Sequence, residues 1–398
     1  MTAGSRKILV VSGTPTHPRT AGNRAKLFSL MKLLQDHGYE VHLLFFTQED
    51  YYDEEGMREC WDGFHKVDYR QPPGIPKSNR FVEFCKDRLR RLNIRVVTPF
   101  KIDDWYEPAV GEFARALTAR ERYTAVILLY VFQSKILENL EPGVLKILEA
   151  QDVFTDRQNL YLRLGMEPTF FYTTKREEAK GLNRADLILA IQDKEKHFYE
   201  RICRKPVITV GHQVVTRYLH TPHATGDPFS LMYVGSENPV NVEGVEYFLS
   251  EIFPKLRQST PAVELTIAGR ICHHLPRGIP GVELIGEVDD LEPHYAHAHA
   301  IINPVREGTG LKIKTIEAMG YGKPLVTTPQ GAAGLETAAN ESFLQAETAG
   351  EFVSHLVDLS HSPPLAEALA KKAHAFAQEY NRQNLDPLLH RIDNHKIV

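Results

Sequence analysis

Short apolar runs alternate with longer segments of helical spacing along the whole chain. The runs are rich in Val, Ile and Leu at successive positions, which is typical of parallel strands buried on both faces. The segments between them, such as 23–38 with its terminal glycine, are predicted to be helices. The runs form a set of six and a set of five, at 7–11, 40–46, 125–131, 144–150, 185–191 and 206–210, and then at 231–235, 263–269, 282–286, 300–304 and 324–328.

A polar stretch with Pro and Gly residues, beginning near residue 212, separates the two sets. The pattern therefore predicts an α/β protein with two doubly wound parallel-sheet domains, residues 1–212 and 213–375, facing a cleft at their strand carboxyl ends. The tail, residues 376–398, is predicted to be a C-terminal helix packing back on the N-terminal domain. Its Asn384 to Pro387 stretch predicts a break in the helix.

Composition narrows the possible partners. With 47 basic and 51 acidic residues in 398, the chain has a net charge of −4 and no overall field that would attract nucleic acid. Its four cysteines form no CxxC pair, which favours a reducing cytoplasm over a disulfide or zinc framework. No apolar stretch approaches a membrane span, so a soluble cytoplasmic protein is expected. The basic segment 85–95 is either a solvated helix face or a contact with anionic lipid.

The stretch 307–324, "EGTGLKIKTIEAMGYGKP", places two lysines at the start of a predicted helix, where the helix dipole favours acids. Gly308 and Gly310 allow a ligand to approach the backbone, and helix-start amides bind anions. With Lys312 and Lys314 these groups suit the diphosphate of a nucleotide-activated substrate. The alternative is a solvated helix with an ion pair between Lys314 and Glu317.

Residues 303–335, which contain this stretch, resemble the donor-binding signature of GT-B glycosyltransferases of the family-4 type, the glycosyl transferases of group 1. The matching pattern is Pro-x-Arg-x-Gly-x-Gly-x-(Lys/Arg)-x-Lys-x-x-Glu-Ala. The resemblance extends to 231–256 and to the N-terminus, and is weakest over 50–120. It implies a hexosyltransferase that moves a sugar with retention from a nucleoside-diphosphate sugar to a hydroxyl acceptor, without a metal or cofactor. The acceptor would be a saccharide, a lipid-linked molecule or a small molecule, bound mostly by the N-terminal domain.

The resemblance also implies roles for individual residues. Lys312 and Lys314 would neutralise the leaving diphosphate, and Glu317 would bind ribose. Gly22 would approach the donor phosphates, and Val288 would line the base pocket. The amides that would contact the diphosphate belong to Gly308, Thr309, Gly310 and Leu311.

The sequence departs from the family pattern in three places. The first of two family glutamates falls at Thr309 here, with Glu307 as the other candidate. The Arg and Lys that commonly follow the first strand of the C-terminal domain are absent, since Ser236, Glu237, Asn238 and Asn241 stand there instead. A frequent His-Asp pair of the N-terminal domain is here Gln151 and Asp152.

Three further polar residues lie where α/β domains contact ligands. Asp152 ends a predicted strand and would orient an acceptor hydroxyl or accept its proton, or else cap the following turn. His17, in the loop after the first strand, would face the acceptor or lie exposed. Arg270 would reach the donor or form a surface ion pair. His294, His297 and His299 lack a carboxylate at ligand spacing, so no metal site is predicted.

Two other functions use the same fold. A GT-B sugar-nucleotide epimerase or phosphorylase would bind the same donor, and a non-catalytic sugar-nucleotide-binding homologue would lack turnover. A nicotinamide-dependent oxidoreductase is rejected, because the residues after "KILVVSG" lack the Gly-x-Gly-x-x-Gly spacing.

Overall fold

The computed structural model describes residues 6–18, 22–47, 51–69, 97–163, 167–168, 170–219, 228–288, 290–308 and 311–395. The chain forms two compact units. The first comprises Met1–Arg19, Asn23–Val210 and Pro387–Val398, and the second comprises Thr20–Gly22 and Gly211–Asp386.

A parallel sheet of seven strands in the order β3-β2-β1-β4-β5-β6-β7 forms the centre of the first unit. The runs that are apolar at successive positions are buried on both faces, as their pattern predicts. The strands are β1 (Lys7–Ser12), β2 (Glu40–Phe46), β3 (Gly63–Val67), β4 (Ala125–Leu129), β5 (Leu145–Glu149), β6 (Leu187–Ala190) and β7 (Val207–Thr209).

Amphipathic helices cover this sheet. The first buries Leu27, Leu30, Met31 and Leu34, which lie on one helical face. The helices are α1 (Gly22–Asp36), α2 (Glu54–Cys60), α3 (Pro108–Arg120), α4 (Gln158–Arg163), α5 (Lys175–Leu182) and α6 (Asp193–Glu200), with a 3₁₀ segment at Val131–Asn139.

A second parallel sheet, in the order β10-β9-β8-β11-β12-β13, forms the centre of the second unit. Strand order reverses between β8 and β11, and α/β sheets bind ligands beside the carboxyl ends at such a point. The strands are β8 (Ser230–Val234), β9 (Glu264–Ala268), β10 (Val282–Gly286), β11 (Ala300–Asn303), β12 (Leu325–Thr327) and β13 (Leu344–Gln345).

The helices of the second unit include a capping box at Thr348 and Glu351. They are α7 (Pro239–Tyr247), a π-helical turn (Phe248–Ile252), α8 (Phe253–Ser259), α9 (Glu292–His297), α10 (Ile313–Gly320), α11 (Ala349–His361) and α12 (Pro363–Asp393), with 3₁₀ segments at Arg270–His274 and Glu336–Ala338.

The predicted break near 384–387 is wrong, because α12 runs continuously through Pro387 to Asp393. Leu388 and Ile392, four residues apart beyond the proline, are fully buried in the core of the first unit. Burial of that apolar face outweighs the local cost of proline in a helix, about 3 kcal/mol.

Candidate donor and acceptor sites

The loop after β11 is held in place by side chains from the segment after β12. Gln330 Nε2 donates to the Gly308 carbonyl at 2.8 Å, and the Thr328 hydroxyl donates to the Val305 carbonyl. Gly308 has φ 124°, a conformation that favours glycine. Thr309 and Gly310 lie outside the described residues, so their roles, like the choice between Thr309 and the exposed Glu307, stay predictions.

Helix α10 follows directly, with Lys312 at its N-cap position and no side-chain cap. The Thr315 amide already donates to the Lys312 carbonyl at 2.9 Å, whereas the amides of the first two helical residues precede any i−4 carbonyl of the helix, so this helix start can receive an anion. Leu311, just before the cap, is buried, while Lys312 is partly buried. A Cβ added at Gly308 would lie 3.1 Å from Lys312 Nζ, so the ammonium lies against the glycine loop.

Lys314 extends from the first turn of α10 to the end of β8. Its Nζ donates to the Tyr233 hydroxyl at 2.6 Å and to Asn241 Oδ1 at 2.9 Å, and lies 4.3 Å from the Tyr233 ring centroid. Burial, and then the positive charge of Lys312, lowers the pKa of Lys314 to about 7. Among the ion pairs of the described residues none includes Lys314, and both of its hydrogen-bond acceptors are neutral.

Glu317, one turn further along α10, already has a partner that sequence reasoning missed. Its Oε1 lies 3.3 Å from Nε2 of His212, which is 1% exposed, whereas the Glu317 side chain is 28% exposed. His212 therefore orients the carboxylate while leaving part of it accessible. The predicted contact with ribose stays a prediction.

Arg270 and Val288 follow β9 and β10 at the same sheet edge. Arg270 lies between two carboxylates, 3.8 Å from Glu237 and 3.9 Å from Glu287, and its guanidinium is partly exposed. These distances exceed a hydrogen bond, so the side chain is attracted by both acids without being fixed by either. Val288 is partly buried.

Gly22, the first residue of α1, belongs by its contacts to the second unit. An added Cβ there would lie 3.0 Å from Cδ1 of Ile313, at the start of α10. A larger residue would therefore press on the first turn of α10. Its predicted approach to the donor phosphates stays a prediction.

Arg306, the arginine of the signature, contacts residues of α7. It pairs with Glu243 on α7 and lies 4.1 Å from the Tyr247 ring centroid. The described contacts therefore give Arg306 a structural role in holding the loop against α7.

In the first unit, Asp152 follows β5 at the carboxyl edge of the sheet. Its carboxylate accepts a hydrogen bond from Arg157 at 2.9 Å, and its carbonyl accepts one from Tyr199 at 2.8 Å. Gln151 adopts φ 64° and donates to Glu149. The Asp152 side chain is 34% exposed, so it remains within reach of a ligand.

Buried ionisable groups surround this edge, and sequence reasoning missed them. Lys26 pairs with Glu149, and the two residues are 3% and 1% exposed. Burial, and then the nearby Asp152 carboxylate, raises the pKa of Glu195 to about 8. Near neutral pH, Asp152 therefore has close to it a Glu195 carboxyl that is mostly protonated, and the buried Lys26–Glu149 pair lies at the same sheet edge.

His17, in the loop after β1, is partly buried. Its Nδ1 lies 3.0 Å from the Thr16 hydroxyl, and its ring packs edge-on against Phe28, at 5.3 Å between centroids, and against Trp61. These contacts fix the ring, and its predicted contact with an acceptor stays a prediction.

One group with metal-ligand spacing occurs among the described residues: His42, His65 and Glu121. Lys7 Nζ lies 3.0 Å from Glu121, and the Tyr123 hydroxyl lies 2.9 Å from His42 Nδ1. A lysine already supplies the positive charge there, so we assign this group to a hydrogen-bonded network. The described helices include none long and apolar enough to span a bilayer.

Comparison with known proteins finds a family match within the second unit. Residues 228–362 match the family model described as glycosyl transferases group 1. An uncharacterized 44.6 kDa protein in the cps region of Klebsiella pneumoniae is 23% identical over 401 residues, covering 94% of this chain and 96% of that protein.

Solved structures agree with both parallel-sheet units. Sucrose-phosphate synthase from Thermosynechococcus elongatus superposes with a TM-score of 0.61 at 14% identity, covering 97% of this chain and 98% of that one. Anabaena Alr3699/HepE, in complex with UDP, superposes with a TM-score of 0.63 at 14% identity, covering 96% and 100%. These neighbours are GT-B glycosyltransferases, so the predicted fold class is confirmed.

Proposed function

We propose that this chain of GT-B fold is a glycosyltransferase that moves a hexosyl group from a UDP-sugar to a hydroxyl acceptor, with retention and without a metal. The choice of UDP follows Alr3699/HepE, which was solved with that nucleotide. The observation that carries the proposal is the pair of lysines at the start of α10, one against the glycine loop and one held by neutral dipoles.

Positive charge of this kind suits a diphosphate leaving group. As the bond between the anomeric carbon and the phosphate oxygen breaks, negative charge grows on the β-phosphate. Lys312, Lys314 and the first-turn amides of α10 would stabilise that charge, which is the role a divalent cation has in metal-dependent transferases. The ammonium of Lys314 donates to two neutral oxygens and forms no ion pair with a carboxylate of the described residues, so it can serve as a partner for the diphosphate.

Retention follows from attack on the same face that the leaving group departs from. The acceptor oxygen bonds to the anomeric carbon as the phosphate oxygen leaves, and the acceptor proton passes to that departing oxygen. Asp152, partly exposed and hydrogen-bonded by Arg157, would orient the acceptor hydroxyl. We propose a saccharide hydroxyl as acceptor in the cytoplasm, with the lipid-linked and small-molecule classes as the other candidates.

A thermal-shift screen tests the donor class. We expect UDP to raise the melting temperature by mass action and UMP, which lacks the second phosphate, to raise it much less. GDP and ADP test the choice of nucleotide. In the Lys312→Ala/Lys314→Ala double variant the UDP response should disappear. If no nucleoside diphosphate shifts the melting temperature of the natural protein, the proposal is wrong.

Product analysis then separates the related activities. With a UDP-sugar and an acceptor, NMR should show a new glycoside whose anomeric configuration matches that of the donor, also when EDTA is present. Release of an epimerised sugar without acceptor would indicate an epimerase. Tight UDP binding without turnover against any acceptor would indicate a non-catalytic homologue.

A further inference from the structure

A chain of hydrogen bonds connects the end of β8 to the first turn of α10. The Tyr233 side chain is fully buried, and its hydroxyl accepts from Lys314 at 2.6 Å. Asn241, on α7, accepts from the same ammonium at 2.9 Å and donates to the Ser236 hydroxyl at 3.0 Å. Three elements that meet beside the switch point of the sheet thus converge on one ammonium group.

The backbone at this point is shaped around the tyrosine ring. A Cβ added at Gly235 would lie 2.6 Å from Cε1 of Tyr233, so a larger residue at 235 would displace the ring that carries the hydroxyl. Gly269, on the neighbouring strand end, would place a Cβ 2.2 Å from the Gly235 carbonyl oxygen. Gly235 therefore leaves room for the Tyr233 ring, and Gly269 leaves room for the backbone of Gly235.

We propose that Tyr233 and Asn241 are positioning residues that hold the Lys314 ammonium ready for the donor diphosphate, and that the bound diphosphate supplies the anionic partner that this ammonium lacks among the described residues. The inference rests on the proposed function, because it takes a nucleoside diphosphate as the ligand. Tyr233 and Asn241 contribute oxygen dipoles but no negative charge, so they orient the ammonium without competing with phosphate for it.

Binding should consequently be coupled to protonation. Burial is the main cause that lowers the pKa of Lys314, to about 7; of the charged groups that act on it, Lys312 lowers the pKa further and Glu317 raises it. Nearly half of the Lys314 side chains are then neutral at pH 7, and an adjacent diphosphate dianion or trianion raises the pKa again. UDP binding should therefore take up roughly half a proton per site at pH 7.

Calorimetry measures this uptake. UDP is titrated into the full-length protein at pH 7 in two buffers of different ionisation enthalpy, and the difference in apparent binding enthalpy gives the number of protons exchanged. Lys314→Met supplies the baseline, because it retains every other titrating group, including UDP itself. We expect the natural protein to take up about 0.5 proton more than this baseline.

Two variants should move the proton count in opposite directions. Tyr233→Phe removes an acceptor from the ammonium, so the Lys314 pKa falls further, proton uptake rises towards one, and UDP affinity drops about 2- to 10-fold. Asn241→Asp retains a hydrogen-bond acceptor but adds a carboxylate beside Lys314. Its charge keeps the lysine protonated, so uptake falls towards zero and UDP binding also weakens.

Tyr123→Phe is the matched control. Tyr123 is 1% exposed in the first unit and hydrogen-bonded to His42, so this variant loses a buried phenol without touching Lys314. Its melting temperature should fall, while its proton count and UDP affinity stay unchanged. Proton counts equal to the natural value in both Tyr233→Phe and Asn241→Asp would overturn the inference while leaving UDP binding, and hence the proposed function, intact. Absence of UDP binding to the natural protein would overturn both.

Discussion

Replacement of Lys314 by Met should stabilise the free protein and weaken donor binding at the same time. The lysine pKa falls from 10.5 to about 7 in the folded chain, so at pH 7 folding must work against the preference of the unfolded lysine for its proton. That difference costs roughly 4 kcal/mol at pH 7 as an upper bound. Met has a similar length and no charge, and it removes this cost.

The variant also loses two hydrogen bonds. The Tyr233 hydroxyl and the Asn241 amide oxygen keep no ammonium partner, which costs about 1–3 kcal/mol in total. The net stabilisation should be about 1–3 kcal/mol, or a rise of several degrees in the melting temperature of a domain of this size. Loss of one charge-assisted hydrogen bond to phosphate costs about 1.5–3 kcal/mol, which weakens UDP binding about 10- to 150-fold.

Differential scanning fluorimetry without UDP measures the change in melting temperature, and the same assay with UDP measures the ligand response. Calorimetry gives the dissociation constant for UDP. Lys312→Met is the comparison, because Lys312 is also half-buried beside the glycine loop and is expected to lose UDP affinity without the same stability gain. A Lys314→Met protein that melts lower than the natural one and keeps the full UDP response would refute the assignment of this lysine to the donor site.

Three further predictions concern other parts of the molecule. Burial lowers the pKa of Lys323 to about 7, so the unfolded chain binds more protons than the folded chain between pH 7 and 10.5. In chemical denaturation across that window, the unfolding free energy of the natural protein should change with pH by up to about 1.4 kcal/mol per pH unit more positively than that of Lys323→Met. Gly269→Ala forces a Cβ to within 2.2 Å of the Gly235 carbonyl oxygen at φ 98° and should cost about 2–4 kcal/mol in thermal denaturation, whereas Gly278→Ala, at φ 79° with open space, should cost about 1 kcal/mol. Asp152→Asn should lower acceptor-dependent kcat/KM about 10- to 100-fold in a transfer assay while the UDP-induced thermal shift stays unchanged, and equal loss of both would place Asp152 outside the acceptor site.

The strands that could be predicted are those whose residues are apolar at successive positions, because that pattern indicates burial on both faces of the sheet. Runs such as "KILVV" and "AVILLYV" are apolar at every position because both sheet faces are covered, and each became a strand. The edge strand β3, "GFHKV", is only half-buried along its length, so it carries no such signal and was missed. Strand β13 was missed because its two residues are too few to form a recognisable apolar run.

The part of the candidate site that could be predicted is formed by residues that are close together in the sequence. The glycines and lysines of 307–314 lie within one turn and one loop, so their spacing alone indicates an anion site at the start of α10. The partners of those lysines could not be predicted in the same way. Tyr233 lies 81 residues and Asn241 lies 73 residues before Lys314, and a lone tyrosine in an apolar strand looks like ordinary core.

The absence of the usual Arg and Lys after β8 then has a physical explanation. A second cation at that position would stand next to Lys314 and lower its pKa further, because the charge of Lys312 already contributes to lowering it to about 7. Neutral oxygens at Tyr233 and Asn241 instead hold the ammonium without repelling it. Restoring the missing charge with Asn241→Lys should therefore weaken UDP binding instead of strengthening it, because the added charge displaces the proton from Lys314. Tighter UDP binding by that variant, measured by calorimetry at pH 7, would contradict this explanation. It would show that the donor site lacks positive charge and that the neutral oxygens of Tyr233 and Asn241 do not make up for the missing Arg and Lys.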